Sequence, residues 1–141
     1  MTTDPRILRI DALPVLERGN GVQTIPLATK EIGAQRITTG LTRFPPGAAI
    51  PLHSHNVEEQ VTLLEGEAEV EIEDQRVRLK PYDTTYVPAG KHHRFINAGT
   101  TPMLILWIYG STDVTRTFSE TGETVPHLSN RDLASLPPRH A

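Results

Sequence analysis

The chain has no cysteine. Disulfides, thiolate nucleophiles and cysteine-type zinc sites are therefore excluded, and any metal it holds must be bound through nitrogen and oxygen. Positive charge is not in excess either. The 14 Lys and Arg stand against 17 Asp and Glu, leaving a net of −3 and a pI near 6.0, so the basic footprint of a nucleic-acid binder is missing. No apolar run approaches the roughly 18–20 residues of a membrane-spanning helix. The opening residues, MTTDPRILRIDALP, contain no apolar signal core, so a cytoplasmic location is expected. Internal repeats, phosphate-binding glycine loops and low-complexity stretches are lacking as well, and helical periodicity is nearly so.

What is abundant is punctuation. Twelve prolines and ten glycines fall between short apolar runs in a chain of 141 residues, long enough for one domain with a real core. Residues 1–34 read as an N-terminal arm with edge strands, in which Pro26 favours an edge position for the run 22–29. Residues 35–110 read as the β core, and residues 111–141 as a C-terminal extension. Within the core, strands are expected at 35–44, 50–55, 59–64, 68–73, 76–80, 84–87, 92–96 and 103–109. The run 68–73, AEVEIE, alternates as a half-exposed strand does, Val77 and Leu79 are expected to point inward, and MLILWIY at 103–109 suggests burial on both faces. Residues 112–123 look polar and irregular, and a single helical turn is expected from Asn130 to Leu136, stopped by Pro137 and Pro138. The fold class implied is all-β, a sandwich or barrel with little helix.

The chemistry concentrates in GAAIPLHSHNVEEQVTLLEG, residues 47–66. On a strand, side chains two apart leave the same face, so His53 and His55 can reach one point. Glu59 has the same parity, but a straight strand carries it roughly 13 Å beyond His55 at about 3.3 Å per residue. The chain must bend at Ser54–Val57, where Asn56 is a good turn residue. Imidazole nitrogens plus a carboxylate suit a first-row divalent metal. A further candidate comes from PAGKHHRFIN, residues 88–97, in which Pro88 and Gly90 mark a turn before His92 and His93. These two point to opposite faces of a strand, and His92 is assigned to the surface. His127 and His140 lie in the tail without a motif.

Gly47, five residues, His53-x-His55, three residues, Glu59, six residues and Gly66 resemble the first conserved motif of the cupins. Pro88-x-Gly90, two residues, His93, three residues and Asn97 resemble the second. The resemblance implies a double-stranded β-helix, a jelly-roll barrel, that holds one divalent transition metal per chain (Fe, Mn, Ni, Cu or Zn) through His53, His55, Glu59 and His93. One slot departs from the pattern: the second motif usually opens with glycine six residues before its proline, and here that residue is Tyr82, so a different turn is expected around Pro81–Asp83.

Strand parity puts Val61, Leu63 and Phe95 on the interior side with the ligands, and Tyr82 and Trp107 are further pocket candidates. Arg43, Tyr86, Arg94 and Tyr109 are possible pocket or rim residues, with core packing the plainer role for Trp107 and Tyr109. Gln60, Thr62 and Asn97 are polar neighbours suited to turns or surface. The function the resemblance implies is a mononuclear metal-dependent enzyme, of dioxygenase or isomerase, lyase or decarboxylase type, acting on a small oxygenated or carboxylated metabolite. The alternative is a non-catalytic cupin that binds or senses a small molecule. The expected partners are that small molecule and a second copy in a homodimer, with no nucleic acid and no membrane.

Overall fold

The computed structural model describes residues 4–135. The turn-punctuated runs fold as β1 (Leu16–Glu17), β2 (Gln23–Pro26), β3 (Thr38–Phe44), β4 (His53–His55), β5 (Glu59–Glu65), β6 (Ala68–Ile72), β7 (Gln75–Leu79), β8 (Thr84–Val87), β9 (His93–Asn97), β10 (Met103–Tyr109), β11 (Thr115–Phe118) and β12 (Thr124–Pro126), with two single-turn 3-10 helices. They pair into two six-stranded sheets, ordered β1-β2-β3-β10-β5-β8 and β12-β11-β4-β9-β6-β7. Every pairing is antiparallel. This is the all-β jelly-roll arrangement implied by the sequence.

Alternation within the strands fills the space between the sheets. Phe44, Val61, Leu63, Val70, Phe95, Met103, Ile105 and Trp107 are buried, each contributing about 1.5–3 kcal/mol by leaving water. Trp107 lies directly opposite Gly40 on β3. A Cβ at position 40 would collide with the indole ring, so glycine is what lets the ring cross the strand. The indole Nε1 donates to Thr42 Oγ1 at 2.8 Å and fixes the ring.

Several expectations need correction. Val77 is 46% exposed rather than inward, because β7 is the outermost strand of its sheet and pairs with β6 alone. The 103–109 strand is buried on one parity, while Leu104, Leu106 and Ile108 are half-buried. The stretch read as irregular contains β11, which pairs with β4 and so belongs to the barrel wall. In place of a helical turn after Asn130 there are turns, held by Leu128 N–H donating to the Asp132 carboxylate at 2.8 Å. Leu136, Pro137, Pro138 and His140 lie outside the described residues.

The turn at Tyr82 keeps the left-handed form that glycine would favour, with φ at 77°. Tyr82 N–H donates to Leu63 O and Lys80 N–H to the Asp83 carboxylate. The tyrosine therefore bears a backbone cost that a glycine would not.

Candidate metal centre

The bend after β4 is anchored by Asn56, whose Nδ2 donates to Asp113 O and whose Oδ1 accepts from Thr115 N–H, both at 2.8 Å. Gly90 N–H donates to His55 O, joining the turn before β9 to β4. With His53 opposite His93 across the β4–β9 pair, and Glu59 opposite Tyr109 across β5–β10, both sheets present their polar side chains to one point. His53, His55 and His93 offer nitrogens that lie within 4.8 Å of one another, and all three residues are buried.

The ring orientations are fixed from behind. His53 Nδ1 contacts Pro51 O at 2.7 Å, His55 Nδ1 contacts Thr115 O at 2.9 Å, and His93 Nδ1 contacts Lys91 O at 2.9 Å. A carbonyl oxygen only accepts, so each Nδ1 carries the proton and each Nε2 is turned toward the shared point. Burial, then the nearby Arg116 charge, pulls the His53 imidazole well below its ordinary range. For His55, burial outweighs the opposing pull of Glu59 and lowers the pKa to about 4. Both rings are thus neutral donors at pH 7.

Glu59 lies beside the cluster. Its Oε1 lies 2.9 Å from His93 Nε2 and its Oε2 lies 3.4 Å from His55 Nε2. Burial pushes this carboxyl up, but His93 and His55 together outweigh it and hold it at about 2. With the His93 proton on Nδ1, Glu59 Oε1 and His93 Nε2 are two buried acceptors facing each other at 2.9 Å with no hydrogen bond between them. Uncompensated buried polar atoms are costly, and a cation shared between them would compensate both. The donor set, imidazole nitrogens and one carboxylate, therefore fits a divalent transition metal on its chemistry and on its unsatisfied atoms.

A small cavity of about 20 Å³ adjoins the group, lined among others by Val61, Phe95, Trp107, Tyr109 and Arg116. Of the pocket candidates from sequence, Val61, Phe95 and Trp107 face this cavity, while Leu63 is buried away from its lining. Tyr82 does not line it. The left-handed turn aims its side chain outward, and it is 78% exposed. Arg43, Tyr86 and Arg94 form surface ion pairs or hydrogen bonds with Glu65, Glu58 and Glu71. Asn97 ties a turn, donating to Phe44 O and Thr101 O.

Tyr109, a pocket or rim candidate from sequence, lines the cavity together with residues that the sequence did not bring to the site. Tyr109 Oη lies 3.1 Å from His55 Nε2, and burial followed by the Glu59 charge raises its phenol well above the usual range. His127 packs edge-on against Trp107 and Tyr109 at centroid distances of 5.0 and 4.9 Å. Arg116 Nε and Arg18 Nη2 meet Asp132 Oδ1 at 2.6 and 3.0 Å, and all three residues are at most 5% exposed. Burial pushes the Asp132 carboxyl up, yet the two guanidiniums outweigh it and hold it below the usual range. One signal for Arg116 was available: Val114, Arg116 and Phe118 share a parity, which puts a charge in an otherwise apolar row. His127 and Asp132 carry no comparable mark.

The cupin-domain family profile matches residues 40–109, from β3 through β10 and across both histidine segments. The chain is a cupin. Among curated proteins it is 30% identical over 97 residues to the polyketide synthase CurC of Streptomyces cyaneus, covering 67% of this chain. It spans 62% of that relative, less than two thirds of its length. Among solved structures it is similar to a sugar phosphate isomerase of the cupin superfamily from Silicibacter pomeroyi, with TM-score 0.72, 24% identity and 86% of each chain covered. It is also similar to the polyketide cyclase RemF of Streptomyces resistomycificus, with TM-score 0.70, 17% identity and coverage of 92% of this chain and 89% of that one. At these identities the structural likeness speaks for the fold alone. The cluster of three histidines fits a cupin metal site, and no helix among the described residues is long and apolar enough to cross a membrane.

Proposed function

We propose that the chain binds one divalent transition metal through His53, His55, Glu59 and His93 and acts as an enzyme on a small oxygenated or carboxylated compound. The observation that carries this reading is the convergence of the three Nε2 faces, each proton held on Nδ1 by a backbone carbonyl, beside a Glu59 Oε1 that faces the bare His93 Nε2 at 2.9 Å. A bound divalent ion would supply Lewis acidity or redox chemistry at this point. The chain's own residues supply the rest. Tyr109 keeps a proton on its hydroxyl 3.1 Å from His55 Nε2, where it can donate to an oxygen on which charge develops. Trp107, Val61 and Phe95 exclude water, which strengthens every electrostatic contact inside.

The names of similar proteins, a sugar phosphate isomerase and polyketide synthase and cyclase proteins, support isomerase or lyase chemistry ahead of dioxygenase chemistry. The test is an assay of metal-loaded and chelator-stripped protein on small hydroxy acids, keto acids and diketones, with oxygen monitored. Metal-dependent turnover without oxygen uptake is expected. Turnover coupled to oxygen uptake moves the assignment to dioxygenase, and equal rates with and without metal contradict the reading.

The tightness of the cavity favours a second reading, a cupin that binds or senses a small molecule without turnover; saturable binding with no product would select it. A homodimer through the sheet edges belongs to the same proposal, and a light-scattering mass of 15.6 kDa would remove it.

A further inference from the structure

Arg116 stands opposite His55 in the β11–β4 pair and lines the cavity shared by His53 and Glu59. It is 3% exposed. Its Nε is engaged by Asp132, but its Nη1 is buried with no partner. A guanidinium always carries its charge and accepts nothing, so an unpartnered buried nitrogen calls for an acceptor. The charges of the walls sharpen the demand. Arg18 and Arg116 are offset by Asp132 and Glu59, and metal-bound imidazoles are neutral, so a divalent ion in the site leaves an excess of positive charge out of water. A monoanion between ion and guanidinium halves that excess.

We propose that the cavity binds a short carboxylic acid as its anion, with Arg116 Nη1 donating to a carboxylate oxygen beside the metal site. The proposal rests on the metal reading above and names its substrate class. One free guanidinium nitrogen and a narrow space of about 20 Å³ suit a planar monoanion better than a tetrahedral phosphate. A space of that size holds about one water, so its lining must yield to admit the acid.

Trp107 is the only tryptophan and lines the cavity, so its emission reports occupancy directly. Metal-loaded protein is titrated with glycolate, with its neutral isostere glycolamide, and with inorganic phosphate. Glycolate should bind at least about tenfold more tightly than glycolamide, the range expected for a hydrogen bond to a charged group. Arg116→Gln should abolish that preference, and Arg116→Lys should restore part of it. Equal binding of glycolate and glycolamide by the wild type overturns the proposal, a result that does not depend on any variant folding. Unchanged preference in folded Arg116→Gln overturns it too, and tighter binding of phosphate than of glycolate overturns the assignment to carboxylates. Elemental analysis of the same samples separates the two readings. Metal without a carboxylate preference contradicts this proposal alone, whereas a metal-free wild type contradicts the metal reading and the charge argument with it.

Discussion

Leu63, Ala68, Val70 and Met103 fill one end of the barrel with hydrocarbon, whereas His53, His55, Glu59, His93, Arg18, Arg116 and Asp132 crowd ionisable groups into the other, and both sets are buried. The strand registers keep the ends apart: β10 runs from Met103 beside the apolar end to Tyr109 opposite Glu59, and β9 runs from His93 to Asn97, paired with Ala68. The apolar end contributes stability through area removed from water. The charged end bears desolvation costs that only partners offset. Buried charge is an expensive way to fill a barrel, and its concentration at one end coincides with the proposed metal site.

The difference can be broken from either side. Asp132→Asn should have the largest effect, about 3–5 kcal/mol of destabilisation in denaturant unfolding, because Arg18 and Arg116 lose their shared counterion. At the apolar end, Leu63→Ala should cost about 2–5 kcal/mol while leaving the metal content of the folded protein unchanged. A loss of metal with Leu63→Ala would mean that the two ends are not separable.

Acid should act on the charged end first. In metal-free protein, His55 has a folded pKa of about 4 against 6.5 unfolded. Between these values the unfolded chain takes up a proton that the folded chain refuses, so this stability is fully present above pH 6.5 and falls as pH drops toward 4. His55 alone contributes about 3 kcal/mol over that window. Glu59, held at about 2 against 4.5, adds a second loss only as pH falls below 4.5. Denaturant midpoints measured from pH 7 to pH 3 should therefore decline from pH 6.5 downward; a flat profile to pH 4.5 would contradict the neutral, buried state of the histidines.

The smallest effect belongs to neither end. Tyr82→Gly should leave metal content unchanged and stabilise by up to about 1 kcal/mol, because the left-handed φ of 77° then carries no side-chain penalty. A decrease in melting temperature would show that the exposed ring has a partner.

The sequence made the ligand-bearing strands legible because their spacing is a local property. His53 and His55 share a face by strand parity, Glu59 had to return by a bend, and Asn56 marked that bend. Alternation likewise gave most of the core strands. The remainder of the site depends on contacts distant in sequence. Arg18 reaches Asp132 across 114 positions, and no periodicity links an N-terminal residue to a C-terminal turn. Val77 misled because alternation cannot tell an edge strand from a central one. Tyr109 read as core because it is core: its hydroxyl alone gives it a second role.

The decisive observation is the metal content of wild-type protein and of His55→Ala, purified without chelator, supplied with divalent metals and measured by elemental analysis. About one transition metal per wild-type chain is expected, with none retained by the variant while its β-sheet circular dichroism persists. A metal-free wild type, or a folded His55→Ala that holds its full complement, would contradict a centre built on the converging Nε2 atoms.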